Sequence, residues 1–391
     1  MRASLARPME RLPAAPPLLD PAGARVVLGP RDAPAGLLEP IVPAADTLFG
    51  PRGACLARPE GPLFVCDTGH HRLLVWRRAP AADHTPADLL VGQPDFSREG
   101  RNGKGPIGPA TLNVPTGIAA ADGVLAVADA WNHRVLIWRG GVERMNQPAD
   151  VIVGQIDRGA GLANRGADRP RADTLNWCYG GAIESGRLYI SDTGNRRLLV
   201  YDRIPERDGA SADLVLGQKD FVTRDENAGG PAGPVGMRWP HAIAFAKGML
   251  LLADAGDNRV MGYRSLPARN GAPCDFVLGQ RDSASVDHNQ ASYLPTAAAM
   301  NMPYGLGVLD GALLVADTAN SRLLGFETEN LSTNASATRL TGQRSFTDKG
   351  DNRWLPATRD SLCWPYAVSV SGPTAVIADS GNNRVLLWDR A

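Results

Sequence analysis

DTGHHR at 67–72, DAWNHR at 129–134, DTGNRR at 192–197, DAGDNR at 254–259, DTANSR at 317–322 and DSGNNR at 379–384 are six versions of one pattern. They recur every 62 or 63 residues along a chain of 391. Six copies in phase mark an array of one supersecondary unit, and an array of that kind decides the fold. Other positions keep the same beat. Trp76, Trp138, Tyr201, Tyr263, Phe326 and Trp388 each close a short apolar run after the motif. Gly29, Gly92, Gly154, Gly217, Gly279 and Gly342 close a second run of the VLGQ type.

The runs before and after each motif Asp, such as LAVAD and RVLIW, are β-branched or leucine-rich and bounded by Gly, Asn and Pro, so they read as strands. Asn- and Gly-rich chemistry between them suits a tight turn, with Gly or Asn taking the positive φ. An inner strand such as 116–120 and the VLGQ-type run complete four strands per unit. Four strands and six units predict an all-β, six-bladed β-propeller of four-stranded antiparallel blades. The blades fall near 52–92, 116–154, 179–217, 241–279, 304–342 and 366–391. The chain ends on a third strand, and residues 24–30 carry a fourth-strand sequence, ARVVLG. An N-terminal closing strand should therefore complete the last blade and remove an exposed sheet edge. Residues 24–391 read as a single propeller domain, and the Pro- and Ala-rich 1–23 as a flexible tail.

Composition narrows the function classes. The 41 basic and 41 acidic residues balance, so no net field draws the chain to nucleic acid or membrane. No apolar run reaches membrane-spanning length. The N-terminus has no apolar core of signal-peptide length, which makes the cytoplasm the expected location. Five cysteines without a CxxC pair fit a reducing compartment.

The motif, set between a hydrophobic strand and an Arg-led strand ending in an aromatic, resembles the NHL repeat across all six units. That resemblance implies a propeller whose relatives include protein- and RNA-binding modules, a zinc-dependent lyase and lactonase-like enzymes. The unit is longer than the usual repeat and carries Gln93, Gln155, Gln218, Gln280 and Gln343 after the fourth strand. This long form resembles a bacterial subgroup found beside oxidoreductases, so the resemblance implies an accessory role for an enzyme such as a hydrogenase.

The six motif aspartates, Asp67, Asp129, Asp192, Asp254, Asp317 and Asp379, occupy one structural position. That points to architecture: each should accept turn amides and pair with the Arg five residues on, namely Arg72, Arg134, Arg197, Arg259, Arg322 and Arg384. Function is expected on the face that carries the long loops between blades, roughly 31–51, 94–115, 156–178, 219–240, 281–303 and 344–365. Aligning the blades puts Arg52, Thr116, Tyr179, His241, Tyr304 and Tyr366 at the axial mouth of that face. Trp177, Trp239 and Trp364 stand two residues earlier. An aromatic concavity with polar tips suits a ligand or peptide. The plain alternative is that these rings only plug the channel.

No catalytic residue and no metal site emerge from spacing. Of the six histidines only His241 falls on the axial column, where a zinc lyase needs about three. The column holds no carboxylate for calcium. No cofactor is therefore predicted, with calcium and zinc left open. RNA binding would lean on Arg158, Arg165, Arg169 and Arg171, but Asp157, Asp168 and Asp173 dilute that loop. The leading expectation is a non-catalytic protein-interaction scaffold using the long-loop face, with a small ligand in the axial pocket also open. The alternatives are a metal-dependent propeller enzyme, lyase or lactonase-like, and then an RNA-binding module.

Overall fold

Each 62–63-residue unit folds as four antiparallel strands because its apolar runs are too short for helices and are cut by turn residues. In the second blade these are Pro115–Ala121, Val124–Asp129, Arg134–Arg139 and Val151–Val153, from axis to rim. A computed structural model describes residues 14–31 and 41–391 of the chain. It contains six such sheets. No helix among the described residues is long and apolar enough to cross a membrane.

The ring closes between the two ends of the chain. Val26–Leu28 pairs antiparallel with the last strand, Arg384–Asp389, with Val26 opposite Leu387 and Leu28 opposite Val385. The sixth blade thereby gains its fourth strand. Apolar side chains fill each seam between neighbouring blades. Phe64, Leu73, Leu125 and Trp138 lie between the first and second, and Val26, Leu28, Val65 and Leu387 between the sixth and first.

The flexible tail expected over 1–23 is corrected from Ala14 onward; residues 1–13 lie outside the described residues. Leu18 and Leu19 are buried between the fifth and sixth blades. The Leu18 amide donates to the Leu340 carbonyl at 3.2 Å, and the Leu340 amide donates to Pro16 at 2.9 Å. The indole N–H of Trp388 donates to the Asp20 carbonyl. Two apolar leucines in a Pro-rich run suffice to anchor it, a signal that composition alone hid.

Inner strands approach one another closely, and small residues permit it. A Cβ on Gly180 would run into the carbonyl oxygen of His241 on the next blade. In the second to sixth blades the inner strand also slips register at its start, between Pro115 and Ile118, for example, or Cys178 and Gly180. Such a bulge bends a strand and redirects the side chain within it. Thr116, Tyr179, His241, Tyr304 and Tyr366 all sit in these bulges.

Candidate functional site

The long-loop face is built on the motif residues. Each Arg is a buried clamp. Arg134 donates from Nε to Asp129 at 2.8 Å, and from its terminal nitrogens to the carbonyls of Gly108, Thr111 and Arg158. Arg197 and Arg322 repeat this with Asp192 and Asp317, each bonding carbonyls of the loops before and after its blade. Arg72, Arg259 and Arg384 pair with Asp67, Asp254 and Asp379 at 2.7–3.1 Å. The other carboxylate oxygen accepts an amide from the end of the preceding long loop, not from the turn as the sequence suggested. Examples are Asn113 to Asp129 at 2.6 Å and Asn301 to Asp317 at 2.7 Å. The carboxylate thus bonds loop to blade, and charge-assisted bonds of this kind are the stronger class. The Gln after the fourth strand in the first five blades donates to loop carbonyls, as Gln93 does to Gly100 at 2.7 Å.

The turn departs from expectation in four of its six copies, where the left-handed residue is neither Gly nor Asn. Positive φ falls on the fifth motif residue, not on the Gly: His71 56°, His133 51°, Arg196 56°, Asn258 53°, Ser321 52° and Asn383 53°. The third-position Gly serves close approach instead, since a Cβ on Gly194 would lie 2.7 Å from the Asn176 carbonyl. Five of the fifth-position side chains accept a hydrogen bond from the next blade. His71 Nδ1 accepts from Val114, His133 Nδ1 from Trp177, Asn258 from Met302, Ser321 from Trp364 and Asn383 from Gly50. An accepting Nδ1 requires neutral imidazole. Burial holds His133 down to about 4, and burial with the Arg101 charge also lowers His71. Arg196 has no acceptor atom. Its partner Trp239 lacks the positive φ of the other five and donates to Asp254 at 2.9 Å.

That junction is irregular in a second way. In four corners the fourth motif residue is an Asn that donates both to the motif Asp and to a loop Asn, as Asn195 does to Asp192 and Asn164. In the fourth blade it is Asp257, 1% exposed. Asp257 Oδ2 lies 3.3 Å from the Arg259 guanidinium but outside hydrogen-bond geometry, and the facing loop residue's Asn227 Oδ1 is buried without a hydrogen-bond partner. Burial, and then the Asp254 charge, push the Asp257 carboxyl up to about 6.

The axial mouth gathers the sequence's candidate residues into one cluster. Tyr179 meets His241 with ring centroids 5.1 Å apart, His241 meets Tyr304 edge-on at 4.4 Å, and Tyr304 stacks on Tyr366 at 4.7 Å. The Arg52 guanidinium lies over Tyr366, 4.7 Å from its centroid. Thr116 is buried, its hydroxyl unpartnered. His241 Nδ1 donates to the Trp239 carbonyl at 2.9 Å. Burial, and then Arg52, bring its pKa down to about 4, so the ring is neutral with a free lone pair on Nε2. These groups line a cavity of about 310 Å³ to which all six inner strands contribute.

Around the mouth, Trp177, Trp239 and Trp364 remain 40–47% exposed. Trp131, which the sequence reading passed over, stacks on Trp177 at 6.4 Å. Its signal was present, because it stands where four of the six motifs have Gly. Cys178 is buried, its thiol donating to the Arg134 carbonyl, and burial pushes that thiol well up, against nucleophilic use. No group of three or more His, Cys, Asp or Glu side chains converges among the described residues.

The NHL repeat profile matches residues 112–138, which run from the end of a long loop through the DAWNHR turn. The chain is a six-bladed β-propeller with an NHL-repeat match in its second blade. It is 22% identical over 373 residues to human NHL repeat-containing protein 2, covering 90% of this chain and 48% of that protein. The bovine counterpart is also 22% identical, over 374 residues, with the same coverage. This propeller thus spans about half the length of the curated relatives it matches. A Bacteroides thetaiotaomicron protein of unknown function has a similar fold, with TM-score 0.52, 12% identity, and coverage of 94% of this chain and 74% of its own.

Proposed function

We propose that this propeller is a non-catalytic recognition scaffold that docks a protein partner on its long-loop face, in the cytoplasm. The observation that carries the reading is the set of half-exposed tryptophans around the aromatic axial mouth, on loops clamped by buried arginines. Trp, Tyr and Arg dominate binding hot spots because large rigid rings bury much area at little entropic cost. Loops held at both ends by charge-assisted bonds lose little further freedom on docking. The long-repeat resemblance suggests an oxidoreductase such as a hydrogenase as the partner class.

The test is affinity purification from native cells with the wild-type chain and with Trp177→Ala combined with Trp364→Ala, both checked for an unchanged melt. A stoichiometric partner lost from the double variant supports the reading. A partner retained at full yield moves the docking surface off this face. Recovery of an oxidoreductase would support the narrower partner class, and recovery of a different protein would remove it.

A further inference from the structure

The axial mouth holds one cation and several hydroxyls with uncommitted hydrogens. Among the described residues, Arg52 donates from its guanidinium to nothing, and no side-chain hydrogen bond engages the hydroxyls of Tyr179, Tyr304 or Tyr366. The buried Thr116 hydroxyl is equally free. A guanidinium carries five N–H groups in a planar fork that matches a carboxylate. Holding such a group partly buried beside four idle hydroxyls has a desolvation cost that an incoming anion would offset.

Among the described residues lining the cavity, no acid stands at this level. The one carboxylate among the cavity-lining residues is Glu184, at the far end of the inner strand that starts at Cys178. Five residues of strand separate it from Tyr179, roughly 17 Å at the usual rise. Past the ring layer the walls turn apolar, with Ile118, Ile243, Leu306 and Val368 contributing.

We propose that this cavity binds a small monocarboxylate with an apolar or aromatic body. Arg52 forks the carboxylate, the tyrosine hydroxyls complete its hydrogen bonds, and the body lies against the aromatic rings and the aliphatic walls. One cation matches one negative charge. A phosphate dianion would bring a second charge with no second cation among the described lining residues to meet it, in a site where unpaired charge is costly. The inference is independent of protein docking, since the cavity is an internal feature of the ring.

The experiment uses the full chain and saturation-transfer NMR backed by calorimetry, with 3-phenylpropionate and hexanoate as probes. Their neutral counterpart is 3-phenylpropanamide, and inorganic phosphate is the anion without a body. Saturable binding of the carboxylates, at least tenfold tighter than the amide, is expected. Arg52→Gln should weaken it tenfold or more with the melt intact. Tyr366→Phe keeps the stacked ring, removes one hydroxyl and should cost about threefold, so it serves if Arg52→Gln does not fold. Absent saturation by either carboxylate, equal binding of the amide, or competition by phosphate at equal concentration would each overturn the proposal. So would unchanged affinity in Tyr366→Phe and in a folded Arg52→Gln.

Discussion

The junction between the third and fourth blades and its five counterparts around the ring share one plan and differ at two side chains. Elsewhere the fifth motif residue offers an acceptor that latches the next loop, and at this junction Arg196 offers none. In four corners the fourth motif residue is an Asn bridging loop and blade, and in the first His70 donates to Asp67 at 2.8 Å. In the fourth blade Asp257 puts a second buried carboxylate beside Asp254, held at 3.3 Å by the same Arg259, and the Asn227 amide oxygen facing it has no donor. The five regular corners show what stability requires of the motif. The irregular one stands where Trp239 is released from the latch and its carbonyl holds His241 in the mouth. Local rules tend to be broken where function has a stake, and this breach abuts the axial cavity.

Removing a clamp from a regular corner should have the largest effect. Asp317→Ala strips the buried Arg322 of its carboxylate and leaves the Asn301 amide and an Asn320 amide hydrogen unpaired. Breaking a buried pair from one side costs about 3–5 kcal/mol. Denaturant titration by circular dichroism should show a midpoint lowered accordingly, or a chain that does not fold. A loss under about 1 kcal/mol would mean that the motif Asp is not the loop's anchor.

How far this plan was legible depended on repetition. Six copies made strand order, blade number and the Val26–Leu28 closure readable, because each unit confirmed the others. The axial column of Arg52, Tyr179, His241, Tyr304 and Tyr366 was readable for the same reason, since alignment puts equivalent residues at equivalent heights. The latches were not. His71 and His133 sit in the motif, but their acceptors serve residues 43 and 44 positions later, and no local pattern marks that partnership. Nothing in DAGDNR marks Asp257 as exceptional until its facing Asn227 is placed. The packing of Leu18 and Leu19 was hidden by the Pro- and Ala-rich residues around them.

Repairing the irregular corner should stabilise it. Asp257→Asn restores the donor seen in four other blades and removes the buried carboxyl. A carboxyl raised to about 6 binds its proton more tightly when folded than unfolded, where the ordinary value is near 4. Its cost is therefore absent below pH 4, grows as pH rises to about 6 and is complete above. The variant should gain about 1–2 kcal/mol at pH 7 and little at pH 4. Equal gains at both pH values would assign the effect to packing.

The latch histidines titrate in the opposite sense. A folded pKa of about 4 for His133 means that the unfolded chain takes up protons first. Its contribution is fully present above pH 6.5 and is lost as pH falls toward 4. His133→Asn keeps an acceptor, as Asn258 and Asn383 do for their neighbours, and cannot titrate. The acid limb of stability against pH should flatten by about 1 kcal/mol, discounted because the ring is only half-buried. An unaltered limb would place the acid sensitivity elsewhere.

The smallest effect on stability should come from giving the irregular junction its missing acceptor. Arg196→Asn supplies the side chain that latches Met302 and Gly50 in other blades. The gain of one hydrogen bond, about 1 kcal/mol, is set against the left-handed backbone Trp239 would then adopt, which costs about as much. The melt should move by less than about 0.5 kcal/mol. The imidazole of His241 should move more visibly, because the Trp239 carbonyl that receives its Nδ1 proton turns with the backbone. A changed His241 ring resonance with an unchanged melt would tie the mouth to the broken latch. If the resonance stays where it is, the irregular corner and the axial cavity are neighbours without being coupled.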